Sequence, residues 1–309
     1  MKITTLLCCV LVSTAVSRQQ LAVEEGTKNV NGVVLYYKII GTGEPILIVH
    51  GGPGMDHSYF LPQMSVLAKH YRLIFFDQRD HGRSLTPDSA GMRMDLFIED
   101  IEALRKEFNL GTMNLMGHSW GGLVAAWYGI KYPDNLRTLL LVNSAGVSSD
   151  DRTKTNQAIL QRSTREDSTE RAQVLRSDDF KKGSTNAMRQ LLRIAFRPSF
   201  YNRTLADSLT LLFPPDYTAK SAALNYLWKD LYIFDLYPQL KNITAPTLIL
   251  HGDSDSLPLD IAQKLHRSIA GSTMIVLNNS GHFPYIETPD EFVRTIRNFM
   301  TSAGSKRND

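Results

Sequence analysis

The chain has 309 residues, with 34 Lys and Arg against 31 Asp and Glu and a formal net charge of +3. That balance is too slight to select nucleic acid or an anionic membrane, and no basic run with interleaved aromatics is present. The apolar share of 43% is ordinary for a globular protein, and the length accommodates one large α/β domain with an inserted subdomain.

Lys2 precedes an apolar stretch at residues 3–12, and small residues follow at 13–17. A positive start, a short apolar run and an A-x-S-like site form the pattern of a cleaved export signal. The run is too short for a membrane span, which needs about 20 apolar residues. Residues 1–17 are therefore expected to be removed, leaving a secreted or periplasmic protein with no stable membrane insertion. Cys8 and Cys9, the only cysteines, fall inside this segment. The expected mature chain thus has no disulfide, no thiol mechanism and no cysteine–zinc site.

Apolar runs at 33–40 and 45–49, separated by Gly41-Thr42-Gly43, read as the first two strands. The second leads into His50-Gly51-Gly52-Pro53-Gly54. A third run, 72–76, leads into Asp77-Gln78-Arg79-Asp80-His81-Gly82-Arg83-Ser84. Residues 95–108 read as a helix, with Leu96, Ile98, Ile101, Leu104 and Phe108 giving most of an apolar stripe. A buried strand at 113–116 and an Ala-rich helix at 123–128 flank Gly117-His118-Ser119-Trp120-Gly121, and 138–142 reads as a further strand.

The character changes over residues 147–237. Charges are dense from 150 to 182, where a solvated helix pair is expected. Residues 187–196 form an amphipathic helix pattern, and 224–236 are rich in aromatics. Phe213, Tyr217, Tyr226, Trp228, Tyr232 and Phe234 are divided between the core of this segment and a pocket wall. A strand at 246–251, a helix at 261–269 and a strand at 274–277 follow. Strands alternating with helices predict a mostly parallel, doubly wound sheet. The core is expected at 18–146 and 238–309, with 147–237 inserted as a helical cap.

Gly117-His118-Ser119-Trp120-Gly121 matches G-x-S-x-G between a strand and a helix, the setting in which a nucleophilic serine projects from the sheet edge. A serine hydroxyl needs a base, and the base needs an orienting acid. In this arrangement they follow in the order serine, acid, histidine. His282, after the last strand, is the expected base; His266 falls within a helix pattern. Asp253 and Asp255 both follow the strand at 246–251. Asp255 is the expected acid, because it has the longer reach beyond Gly252, and Asp253 is expected to bind local backbone. The backbone N–H groups of Gly52 and Trp120 are the expected donors to a tetrahedral oxyanion. Asp77 is expected to tie down loop N–H groups, since a buried carboxylate needs several partners, with Arg83 and Ser84 fixing the same loop. His50, His81 and His118 lie on separate loops without the carboxylate spacing of a metal site. No metal or cofactor is expected.

These motifs together resemble the α/β-hydrolase-fold serine hydrolases, and among them the proline iminopeptidases. H-G-G-P-G and D-Q-R-x-x-G-R-S carry the narrower resemblance; G-H-S-W-G-G and the final S-G-H are shared more widely. The resemblance implies the α/β-hydrolase fold, a Ser119, Asp255 and His282 triad, and release of an N-terminal residue from a short peptide. It also implies acidic cap residues that hold the substrate amine. Ser256 follows Asp255 where some relatives carry glutamate, and residues 221–228 contain no carboxylate. Asp230 and Asp235 are the remaining candidates, with Trp228 and Phe283 as substrate-contacting aromatics. Two other readings stay open: a hydrolase of esters, lactones or other small acyl compounds, and a non-catalytic binding protein of the same fold.

Overall fold

The computed structural model describes residues 21–87 and 92–305. The expected export segment at 1–17, with Cys8 and Cys9, lies outside them. No helix among the described residues is long and apolar enough to cross a membrane.

Eight strands form one sheet: β1 (Val23–Val30), β2 (Val33–Ile40), β3 (Glu44–Val49), β4 (Tyr71–Phe76), β5 (Met113–His118), β6 (Leu136–Val142), β7 (Thr247–Gly252) and β8 (Thr273–Leu277). Their spatial order is β1-β2-β4-β3-β5-β6-β7-β8. β2 runs antiparallel to both neighbours, and every pairing from β4 to β8 is parallel. Successive side chains on a strand face opposite ways. Leu47 and Val49 of β3 therefore join one apolar layer, and Ile46 and Ile48 join the other. Burial on both faces explains why the central strands are continuous apolar runs.

α1 (Met94–Glu107) and α2 (Trp120–Lys131) pack on the first face of the sheet. Between β6 and β7 the chain leaves the sheet and makes α3 (Ser149–Arg162), α4 (Arg165–Arg176), α5 (Asp178–Lys181), α6 (Thr185–Phe196) and α7 (Tyr217–Asp230). The two ends of this excursion are tied together. Ser149 N–H donates to the Phe234 carbonyl, and Leu236 N–H donates to that of Val147, both in hydrogen bonds of 2.9 to 3.0 Å. The chain returns through β7, α8 (Leu259–Ser268), β8, α9 (Pro284–Glu287) and α10 (Pro289–Ser305).

Two sequence expectations need correction. The run at 33–40 is the second strand, not the first. β1 precedes it as an edge strand with only Val30 buried, so it carries no apolar alternation. Its signal is the turn, Asn31-Gly32, whose positive φ angles of 49° and 75° suit a tight hairpin. Second, the charged stretch from residue 150 is more than a solvated helix pair. Arg152, Thr155 and Ile159 of α3 line the principal cavity.

Candidate active site

The turn between β5 and α2 holds Ser119 at φ 56°, ψ −122°, a conformation that costs a non-glycine residue about 1–3 kcal/mol. Hydrogen bonds hold the strained unit in place. Ser119 N–H donates to the Val142 carbonyl at 3.1 Å, and its own carbonyl accepts from Gly122 and Ala145 N–H, each at 2.9 Å. The flanking glycines are steric requirements. A Cβ on Gly117 would lie 2.2 Å from the Gly121 carbonyl oxygen, and one on Gly121 would lie 2.1 Å from that of Val49.

His282, after β8, places Nδ1 at 2.9 and 3.1 Å from the two carboxylate oxygens of Asp255. Carboxylate oxygens accept, so Nδ1–H donates, which in the neutral ring leaves the lone pair on Nε2. Asp255 also accepts from Asn143 Nδ2 at 2.7 Å and Leu257 N–H at 3.0 Å. Burial alone would raise its pKa. The His282 charge and hydrogen bond, followed by His251 and the Leu257 N–H, outweigh that and hold the carboxyl down at about 2. Asp253 is occupied differently: it accepts from Asn279 and Ser280 N–H at 3.1 and 3.3 Å, bracing the loop that carries His282.

Tyr59 and His118 join the surrounding loops. Gly51 N–H donates to the Tyr59 hydroxyl at 2.6 Å, that hydroxyl meets His118 Nδ1 at 2.7 Å, and His118 Nε2 meets the His282 carbonyl at 2.8 Å. Gln78 adds a second tie, donating to the His50 carbonyl at 2.8 Å and accepting from Trp120 Nε1 at 3.1 Å.

Ser119 and His282 share a cavity of about 330 Å³ with Gly52, Pro53 and Trp120. Its walls are mainly apolar and include Leu123, Ile159, Phe196, Leu231 and Phe234, with Trp228 also present. Phe283 lines a smaller adjoining recess beside Tyr59, His118, Ser119 and His282. No carboxylate lines the cavity among the described residues; its one charged lining residue is Arg152. Asp230 therefore needs correction as a substrate-binding residue. Its Oδ2 accepts from Met94 N–H at 2.9 Å, at the start of α1, where a helix leaves N–H groups without internal acceptors. Asp235 is likewise turned to local backbone, accepting from Tyr237 N–H at 2.9 Å.

The Asp77 loop is built from buried polar contacts. Asp77 accepts from the backbone N–H of His57 at 3.1 Å and of Arg83 at 2.9 Å, and pairs with His57 Nδ1 at 2.6 Å. Ser84 Oγ donates to the Asp77 carbonyl at 2.5 Å and accepts from Tyr36 N–H at 2.9 Å. Arg79 forms a two-pronged pair with Asp100, at 2.8 and 2.7 Å. Burial lowers His50 and His118 to about 3 and His81 to about 4. The ring nitrogens of His50 and His81 contact the carbonyls of Gly51 and Arg79. Asp56, His57 and Asp77 are the one His/Asp group compact enough to hold a metal among the described residues. Its atoms are already paired: Asp77 as above, and Asp56 with Ser58 N–H at 2.8 Å.

Asn143 is a site residue that sequence reasoning missed. It directly follows β6, and a polar residue at the carboxyl end of a parallel strand is a recognisable signal. Tyr59 carried no such signal; only its hydroxyl contacts mark it.

The strand order and the serine turn beside a buried histidine–aspartate pair define the class of protein as an α/β hydrolase. The chain belongs to that family, whose model, the alpha/beta hydrolase fold, matches residues 44–289, and it is a hydrolase. It is similar to the proline iminopeptidase of Saccharolobus solfataricus, 30% identical over 295 residues and covering 90% of this chain and 92% of the relative. The proline iminopeptidase of Heyndrickxia coagulans is 29% identical, covering 85% and 92%. In fold, the chain is similar to the proline iminopeptidase of Mycobacterium smegmatis, with TM-score 0.66, 19% identity and coverage of 91% and 98%. It is also similar in fold to an enol-lactonase from Burkholderia xenovorans, with TM-score 0.61, 23% identity and coverage of 89% and 100%.

Proposed function

We propose that this chain is a serine hydrolase that works through an acyl-enzyme on Ser119 and releases an N-terminal residue from a short peptide, as its proline iminopeptidase relatives are named for doing. The carrying observation is the buried His282–Asp255 pair opening on the same cavity as the strained Ser119. In this reading Ser119 Oγ attacks the substrate carbonyl and His282 Nε2 takes its proton. Asp255 holds the ring in the required tautomer and stabilises the imidazolium. The oxyanion accepts from Gly52 and Trp120 N–H. Trp120 is the first residue of α2, so its N–H has no acceptor within the helix. Collapse expels the leaving group with the proton from His282, and water repeats the sequence to free the acyl group. The insert at 147–237 acts as a cap that excludes water. Residues 1–17 act as an export signal.

A second reading, hydrolysis of small esters or lactones, is favoured by one observation: no carboxylate lines the cavity among the described residues to meet an ammonium, and an unpaired buried ammonium is costly.

Both readings require Ser119. Wild type should label with a fluorophosphonate, and Ser119→Ala should not; labelling of the variant would sink the assignment. Prolyl arylamide, its N-acetyl form and a small aryl ester then separate the two readings. Preference for the free amide supports peptide release, and activity on the ester alone supports the second reading.

A further inference from the structure

Arg152 places a permanent charge against the apolar wall formed by Leu231 and Phe234. It lies in the first turn of α3. Nη1 donates to the Leu231 carbonyl at 2.6 Å and Nη2 to that of Tyr232 at 3.3 Å. The guanidinium carbon lies 5.7 Å from the centre of the Trp228 ring. These contacts hold the group at a junction. Arg152 and Trp228 line the catalytic cavity and also a second, more open one of about 330 Å³, which Asn156 and Tyr232 complete.

Two carbonyls do not exhaust a guanidinium, which carries further N–H donors in a planar fork. Its chain neighbour Asp151 pairs instead with Lys264 at 3.9 Å, and Arg152 forms no ion pair among the described residues. A clip for two carbonyls would need only a neutral donor. Arg152 is half-buried and is the one permanent cation on an otherwise mainly apolar wall among the described residues, and its planar fork suits a carboxylate.

We propose that Arg152 receives a carboxylate remote from the scissile bond, so that the substrates are small acyl compounds with a free acid end. This rests on Ser119 acting as nucleophile in the same cavity. A short peptide with a free C-terminus would carry the acid on the leaving group; a dicarboxylic half-ester would carry it on the acyl group. The open second cavity gives either acid a path to solvent.

Two matched pairs of aryl esters test this. Monophenyl glutarate against phenyl glutaramate places the acid on the acyl side, and 4-acetoxybenzoate against 4-acetoxybenzamide places it on the leaving side. In at least one pair the acid should have a kcat/KM about tenfold or more above its amide, mainly through KM. The pair that shows it identifies the side. Arg152→Gln should bring that ratio near one, and Arg152→Lys should keep part of it. A wild-type ratio near or below one in both pairs, or a preference that survives Arg152→Gln, overturns the proposal. Failure of wild type to turn over any of the four esters leaves the Ser119 reading to the fluorophosphonate label, because none of the four carries a free amine. Arg152 is then judged by equilibrium titration of Ser119→Ala with the same compounds. Tighter binding of an acid than its amide, lost when Arg152→Gln is added, supports the proposal; equal binding overturns it.

Discussion

His118 donates from Nε2 to the main-chain carbonyl of His282, 2.8 Å away. A carbonyl can only accept, so that one contact sets the direction of the whole chain of hydrogen bonds. A neutral imidazole that donates from Nε2 must accept at Nδ1. The Tyr59 hydroxyl therefore donates to it, leaving the Tyr59 oxygen to accept from Gly51 N–H. The loop before Gly52, the strand before Ser119 and the loop carrying His282 are thereby held in one register.

Tyr59→Phe should fold and lose activity. It leaves the Gly51 N–H and the His118 Nδ1 lone pair buried and unpaired, a penalty of about 1–3 kcal/mol for each group. A kcat lower by about tenfold or more is expected, because the Gly52 loop is released where an oxyanion donor must be placed. Steady-state kinetics with a thermal melt check this; an unchanged kcat would show that the chain of hydrogen bonds does not position the site.

The two loop carboxylates should separate sharply. Asp255→Asn should cost on the order of a thousandfold or more in kcat, since an amide can hold the wrong imidazole tautomer. Asp253→Asn should cost far less, because Asp253 accepts from backbone N–H groups of the His282 loop and an amide oxygen can also accept. Equal losses, or the reverse ranking, would move the acid role away from Asp255.

Stability should fall on mild acidification. Burial lowers His50 and His118 to about 3 and His81 to about 4, from an ordinary 6.5. Below about pH 6.5 the unfolded chain thus binds more protons than the folded one at these rings. Each ring then removes up to about 1.4 kcal/mol per pH unit as pH falls toward its folded value. Asp255, lowered from 3.8 to about 2, adds a separate loss as pH falls below about 3.8. Urea unfolding at pH 7.5, 6 and 5 measures the first effect, and a flat midpoint across that range would contradict it.

Lys220 should act as a lock between the excursion that follows β6 and the loop that follows β4. It lies on α7, yet its ammonium donates to the Gly82 and Ser84 carbonyls of the Asp77 loop at 2.8 and 3.0 Å, and it pairs with Asp216 at 3.2 Å. Lys220→Met keeps the apolar stem but leaves two buried carbonyls without their donor, at about 1–3 kcal/mol each. A lower melting temperature and faster proteolysis within 147–237 are expected; unchanged protection of that segment would show that the lock lies elsewhere.

By itself, the sequence determined the strand and helix alternation, the G-x-S-x-G turn, and the order of Ser119, Asp255 and His282. These are legible because they are local. An apolar run buried on both faces shows as consecutive hydrophobic residues, and a tight turn demands glycines at set positions. Only the tertiary structure decided what lines the cavity. Asp230 was a reasonable partner for an amine by composition, but in space it meets Met94 N–H. Arg152 stood in a charged stretch that reads as solvated, yet one turn of α3 sets it against the cavity. Asn143 and Asp255 are far apart in the chain and meet only because β6 and β7 pair in parallel, Val142 against Leu250, and carry their following loops to the same edge. Side-chain contacts across such distances depend on packing between elements, which no local pattern of residues encodes.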